Sequence, residues 1–217
     1  MELDFALYVI TDRRLSQGRS HQEVASAAIA GGAHVIQFRD KEMSARELIQ
    51  VGEELRELTK KAGVPFIIND RVDVALAVEA DGVHLGQEDM PIKLARRLLG
   101  EGKIIGVSAT SLAEALEAEA EGADYLGVGP IFATDTKPDA APPTGLEGLT
   151  EVVRRVSIPV VAIGGINRDN VEEVMAAGAA GVAVISAVVA KEDIRQATSE
   201  LLAKILEAKR RLGSADL

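Results

Sequence analysis

The 217-residue chain has no cysteine and no tryptophan. The missing cysteine excludes disulfides, thiol catalysis and Cys-ligated zinc or iron–sulfur sites. Aromatic residues make up only 3%, so a core has to be built from Ala, Val, Ile and Leu in close packing. Apolar runs long enough to span a membrane are also missing. The start, Met1-Glu2-Leu3-Asp4-Phe5, lacks the basic region and apolar stretch of a secretory signal, and the expectation is a cytoplasmic protein. Positive charge is scarce, with 24 Lys+Arg against 34 Asp+Glu and a net charge of −10. That balance weighs against nucleic acid and anionic membranes as partners. It does not decide against a small phosphorylated ligand, which needs only a few local cations.

Hydrophobic residues at 47% and charged residues at 27% are those of an ordinary globular protein, and residues 1–217 read as a single domain. Its main feature is repetition. Short β-branched runs recur at Ala6–Ile10, Val35–Arg39, Pro65–Asn69, Gly82–Gly86, Ile104–Ser108, Tyr125–Gly129, Pro159–Ile163 and Gly181–Ser186. Between them lie Ala/Glu/Leu segments of helical period. In Ser44–Ala62, Leu48, Val51, Leu55 and Leu58 fall on one helix face, and Ser44 with Glu47 reads as a capping box. Gly-containing joints lead from helix to strand at Ala30–Ala33, Ala62–Pro65, Ala80–Val83, Glu121–Asp124 and Ala177–Ala180, as left-handed helix ends require. Strict alternation means parallel strands joined by helices. Eight such units predict a (β/α)8 TIM barrel. A doubly wound open sheet is second, because no Gly-x-Gly-x-x-Gly follows the first strand. The tail from Gly213 is expected to fray.

A barrel of this kind carries its chemistry at the C-terminal strand ends, and polar residues accumulate there. After the second strand, Gln37, Arg39 and Lys41 alternate and read as one face aimed at the mouth. They would serve a ligand diphosphate or form a structural ion-pair set. Asn69-Asp70 ends the third strand and Asp89 follows the fourth. The two aspartates suit either a hard Mg²⁺ shared with phosphate oxygens or helix capping. His84 reads as a hydrogen-bonded core residue, and His21 and His34 are kept out of the site. Ser108 can donate to a ligand, Ser111 is the better cap, and no paired His is expected to make Ser108 a nucleophile. The long loop from Pro130 to Gly145 offers Thr134, Thr136 and Lys137 and reads as a lid. Gly164-Gly165 and Ser186 end the last two strands, where such barrels bind phosphate through backbone N–H groups. A plain turn capped by Asn167 is compatible with the same residues.

Taken in order, Tyr8–Asp12, Gln37–Lys41, Asn69–Arg71, His84–Asp89, Gly129–Phe132 with Thr134–Lys137, Ala162–Ile166 and Val184–Ser186 resemble the motifs of the thiamine-phosphate synthase family. The resemblance runs over nearly the whole chain. Asp40 in place of Glu, Phe38 in place of a smaller aliphatic residue, and the Ala-Pro stretch 139–144 depart from the pattern. The resemblance implies a transferase that joins a hydroxymethyl-aminopyrimidine diphosphate to a thiazole phosphate, releasing diphosphate by a dissociative route. It implies that Gln37, Arg39, Lys41, Asn69, Ser108 and Lys137 bind the pyrimidine diphosphate, with Arg39, Ser108 and Lys137 catalytic. It places the thiazole phosphate on Thr134, Asp135, Thr136, Gly165, Ile185 and Ser186, and Mg²⁺ on Asp70 and Asp89. The rivals are a related thiazole tautomerase, a phosphate-ligand sensor without catalysis, and a sugar-phosphate isomerase. The last lacks an acid/base pair at the strand ends. A homo-oligomer is compatible with all of them.

Overall fold

A computed structural model describes residues 4–134, 136 and 142–213. The elements in chain order are β1 (Leu7–Ile10), α1 (His21–Ala30), β2 (Val35–Phe38), α2 (Ala45–Ala62), β3 (Phe66–Asn69), α3 (Val72–Ala77), β4 (Gly82–Leu85) and α4 (Ile92–Leu99). They continue with β5 (Ile104–Ala109), α5 (Leu112–Glu121), β6 (Tyr125–Val128), α6 (Gly145–Arg155), β7 (Val160–Ile163), α7 (Val171–Ala176), β8 (Gly181–Val184), α8 (Ser186–Val189) and α9 (Ile194–Gly213). The strands pair in sequence order and close on themselves. Tyr8 of β1 stands beside Val35 of β2 on one side and Ala183 of β8 on the other, all parallel. The closed (β/α)8 barrel sets aside the open sheet. Among the described residues, no helix is long and apolar enough to cross a membrane. Of the tail expected to fray, Gly213 is the last residue of α9, and residues 214–217 lie outside the described part.

Strand alternation sorts the apolar side chains into two layers. Tyr8, Ile10, Val35, Ile67, Tyr125, Val161 and Ala183 fill the barrel interior with Phe5. Their neighbours Val9, Ile36, Phe38, Phe66, Ile68, Leu126 and Val182 face the helices. The outer layer uses small and branched side chains, which is how an aromatic-poor sequence reaches a dense core.

Helix starts follow the sequence. Ser44 accepts from the Glu47 N–H while the Glu47 carboxylate takes the Ser44 N–H, a complete capping box, and Ser20 with Glu23 repeats it at α1. Ser111 accepts from the Glu114 N–H at α5. The helix-to-strand joints behave as expected at Gly32, Gly63, Gly122 and Gly178, all with positive φ. The joint at Ala80–Val83 is different. There Glu79 takes the left-handed conformation (φ 52°), and Gly82 is the first residue of β4. Its missing side chain makes room for the Ile104 backbone of β5. Gly82 is required by strand packing and not by a turn.

The rim at the N-terminal strand ends is closed by a repeated clasp. Asp81 accepts from the Phe66 N–H at 2.8 Å and from Arg56 at 2.6 Å. Asp124 accepts from the Ile105 N–H at 2.6 Å and from Arg96 at 2.6 Å. In each case a carboxylate just before one strand takes an N–H near the start of the preceding strand, Phe66 of β3 or Ile105 of β5, and is held by a helix arginine. These two strand amides are thereby satisfied within the protein.

Candidate active site

At the opposite rim the polar residues converge as a barrel requires. Gln37 is buried inside the barrel, while Ile36 and Phe38 pack outward. Strand β2 ends at Phe38, so Arg39 and Lys41 lie in the following loop. Strand alternation therefore does not set their direction; carboxylates do. Arg39 Nη1 lies 3.0 Å from Asp12 Oδ2. Asp12 is only 4% exposed, and its other oxygen accepts from the N–H groups of Arg14 and Leu15. Lys41 Nζ is 3.9 Å from Asp70, a loose contact for an exposed side chain.

Asp70 occupies a tight turn. Its N–H donates to His84 O at 2.8 Å, Arg71 N–H donates back to Asn69 O at 2.7 Å, and φ is 62°. This is the left-handed region, which aspartate enters more readily than most non-glycine residues. The Asp70 side chain does not cap α3; Arg71 stands at that N-terminus without a side-chain hydrogen bond. Asp89 does not cap α4 either, since Pro91 occupies the cap. Its Oδ2 accepts from the Gly86 N–H at 2.6 Å. The capping alternative thus fails for both residues. What remains is two carboxylates in contact. Burial, then the neighbouring Asp89, push Asp70 up to about 6, against the smaller opposing pull of Lys41 and Arg39. An acid whose affinity for a proton is raised by a second carboxylate beside it suits a cation. Among the described residues no third metal-ligating side chain joins them. They fit a magnesium ion that completes its shell with water and substrate oxygens.

Ser108 sits on β5 with its hydroxyl 2.9 Å from His84 Nε2. This corrects the expectation that no histidine pairs with it. The pair still falls short of a nucleophilic triad. The third member is the Tyr125 hydroxyl, 2.9 Å from His84 Nδ1, where an acidic orienting group would be needed to stabilise an imidazolium. Burial pushes His84 down to about 4, the wrong direction for a general base at neutral pH. Asn69 stands opposite His84 in the β3–β4 register.

The expected thiazole-phosphate residues gather at β7 and β8. Thr134, Thr136, Gly165 and Ser186 line one open cavity of about 1760 Å³, which runs on between α1 and α9. Thr136 Oγ1 donates to Ser186 Oγ at 3.5 Å. Ser186 opens the short helix α8, and Ile185, at its N-cap, packs on the barrel interior. The cavity lining does not include the residues of β2 to β5. Asp135 and Lys137 lie outside the described residues, as do residues 139–141 of the Asp139–Thr144 stretch. Gly164 and Gly165 both have positive φ, and their Cβ positions are taken by Pro130, Phe132 and Ala133. The double glycine is therefore demanded by the loop after β6 packing on it. Asn167 is not the cap of α7; Asn170 is. Asn170 also donates from Nδ2 to Gly165 O at 3.0 Å, fixing that peptide.

The sequence reading missed four contributors: Asp12, His21, Asn170 and the Tyr8–Tyr125 pair. His21, set aside as remote, lies at the mouth side because α1 follows β1. Its ring bridges Thr11 Oγ1 (2.8 Å) and Asp40 Oδ2 (3.1 Å). Asp40 in turn accepts from the N–H groups of Glu42 and Met43, so it shapes the loop that carries Lys41. Their spacing in sequence carries no signal, because Asp12, His21 and the two tyrosines meet partners from other elements, and Asn170 meets Gly165 only through the folding of the loop after β7.

Fold and rim together define a parallel (β/α)8 barrel of the enzyme type, with charged groups gathered at the C-terminal strand ends. A family described as thiamine monophosphate synthase matches residues 7–188. The chain is 62% identical over 203 residues to a thiamine-phosphate synthase of Chloroflexus aurantiacus, covering 94% of each protein. It is 58% identical to one from Methanocella arvoryzae, covering 94% of this chain and 96% of that one. A solved thiamine phosphate pyrophosphorylase from Pyrococcus furiosus superposes with a TM-score of 0.87 at 51% identity, covering 95% of this chain and 98% of that one. The chain belongs to the thiamine-phosphate synthase family, whose members are transferases.

Proposed function

We propose that the chain joins a pyrimidine bearing a diphosphate ester to a thiazole phosphate, forming thiamine phosphate and diphosphate. The observation that carries this reading is the Asp70–Asp89 acid pair beside Lys41 and Arg39 at the ends of adjacent strands. Residues 1–217 act as one barrel with one site at its C-terminal rim. Gln37, Arg39, Lys41, Asn69, Ser108 and Lys137 hold the pyrimidine diphosphate. Thr134, Asp135, Thr136, Gly165, Ile185 and Ser186 hold the thiazole phosphate. Asp70 and Asp89 hold Mg²⁺, which when bound draws electron density from the diphosphate oxygens.

The bond between the pyrimidine methylene and the diphosphate oxygen breaks, and its electron pair leaves with the diphosphate. Arg39, Lys41 and Lys137 neutralise the charge that develops there, and Ser108 donates a hydrogen bond to it. Asp12 keeps Arg39 in place for this. The thiazole nitrogen then gives its lone pair to the electron-poor methylene, forming the C–N bond. No side chain becomes a nucleophile, in keeping with the absence of cysteine and the low proton affinity of His84. The work of the protein is to orient two anionic substrates and stabilise a leaving group.

Incubation with both substrates and Mg²⁺ tests the reading, with thiamine phosphate and diphosphate expected in equal amounts. Tight binding without product would make the barrel a sensor. Isomerisation of the thiazole alone would make it a tautomerase. Asp89→Ala is expected to remove most Mg²⁺-dependent turnover with thermal stability little changed. An unaltered response to Mg²⁺ would end its metal role.

A further inference from the structure

Inside the barrel, polar side chains of five strands form one unbroken hydrogen-bonded chain. Gln37 Nε2 on β2 donates to the Tyr8 hydroxyl on β1 at 2.8 Å. The Tyr8 and Tyr125 hydroxyls are 2.8 Å apart. Tyr125, on β6, reaches His84 Nδ1 on β4 at 2.9 Å, and His84 Nε2 reaches Ser108 Oγ on β5 at 2.9 Å. Tyr8 and Tyr125 are 1% and 0% exposed, so water cannot repair a missing bond at either hydroxyl. The strands make space for this chain. A Cβ on Gly127 would stand 2.9 Å from His84 Cε1, and one on Gly106 would overlap the Tyr125 ring.

The hydrogens along the chain can be counted. An amide nitrogen only donates. Tyr8 therefore accepts from Gln37, and its single hydrogen goes to Tyr125. Tyr125 then gives its own hydrogen to His84 Nδ1. A neutral imidazole that accepts at Nδ1 carries its proton on Nε2, and that proton goes to Ser108 Oγ. Every hydrogen has an acceptor, and the hydroxyl hydrogen of Ser108 is left over. In the reverse order Ser108 would donate to His84, and the Tyr8 hydrogen would face the Gln37 amino group. That leaves a fully buried hydroxyl without an acceptor, with its whole desolvation cost uncompensated.

We propose that His84, oriented by Tyr8 and Tyr125, is a positioning residue that donates to Ser108 and so frees the Ser108 hydrogen for the departing diphosphate. The Gln37 amide sets the direction: with its nitrogen on Tyr8, it leaves its own carbonyl oxygen to accept from a substrate. Two groups on different strands are thus oriented by one device. The inference rests on the role given to Ser108 in the proposed function.

Long-range ¹H–¹⁵N correlation on histidine-labelled free protein reads the tautomer without any substrate. The Nε2–H form is expected for His84, and the Nδ1–H form would overturn the proposal. Turnover supplies the second readout. Tyr125→Phe is expected to lower kcat about tenfold, the effect of one lost hydrogen bond, with KM changed less than twofold. In a Ser108→Ala background the same change is expected to cost nothing further, because both act through one hydroxyl. An equal loss in both backgrounds would reduce Tyr125 to a packing residue and overturn the proposal. If Tyr125→Phe does not fold, Tyr8→Phe breaks the chain one link away with the same two expectations. Absence of product from the parent protein would overturn the proposed function and leave the tautomer result to decide this inference.

Discussion

Single residues at the rim are held by partners far away in sequence, and Asp12 shows the consequence. It is a buried carboxylate in contact with the Arg39 guanidinium, and its other oxygen accepts two backbone N–H groups. Asp12→Asn keeps the shape and the acceptor but removes the charge facing Arg39. The variant is expected to lose about 3 kcal/mol in urea unfolding, as when one partner of a buried pair is neutralised. It is also expected to raise KM for the diphosphate-bearing substrate about tenfold, more than it lowers kcat. An unchanged KM would mean that Arg39 needs no support. Arg39, Lys41, Asp70 and Ser108 could be named from the sequence because polar residues at strand ends stand out against an apolar pattern. Asp12 could not, since an aspartate after a strand is also an ordinary turn residue. Only the neighbourhood of β1 and β2 gives it its role.

Secondary-structure elements were legible where the signal is local. The capping box at Ser44, the strand runs and most glycine joints depend on residues within one turn of each other. The errors came where a residue answers to a different element. Gly82 has the place of a turn glycine in the sequence and serves the β4–β5 contact. Gly164 and Gly165 look like a ligand cradle alone, and they also take the packing of the loop after β6. Gly106 is the sharpest case, because a small residue inside a strand looks only like a weak strand former. Gly106→Ala pushes a methyl group into the Tyr125 ring, which is buried against Phe5 (centroids 4.7 Å apart) and cannot retreat. A loss of about 1–3 kcal/mol is expected from overpacking, read as a lower urea midpoint with the m-value unchanged. A variant as stable as the parent would show that the interior has slack.

The whole molecule was the most legible scale, because eight repeats of one unit constrain topology more tightly than any motif. Its electrostatics were less so. The net charge of −10 is carried in part by outer helices such as α5, which has Glu114, Glu117, Glu119 and Glu121 and no basic residue. Two partly buried groups at the rim respond to pH in opposite senses. His84, lowered to about 4, is neutral in the fold and protonated in the unfolded chain below about 6.5. Its contribution is complete above 6.5 and is lost as pH falls toward 4. Asp70, raised to about 6, holds a proton in the fold that the unfolded chain has already released. Its contribution is present below its unfolded value and is lost as pH rises through 6. The two slopes oppose each other between pH 4 and 6. In metal-free buffer, Asp70→Asn is expected to gain stability with pH over this range more steeply than the parent. Parallel curves for the two proteins would show that Asp70 titrates normally.

The Asp81 and Asp124 clasps give the molecule a division of labour. Each fastens one strand to the next at the rim away from the substrates, and neither shares a residue with the other rim. Substitution at the substrate end therefore proceeds on an independently fastened base. Such a barrel has room to drift in specificity, by nature or by design, at little risk to its ability to fold.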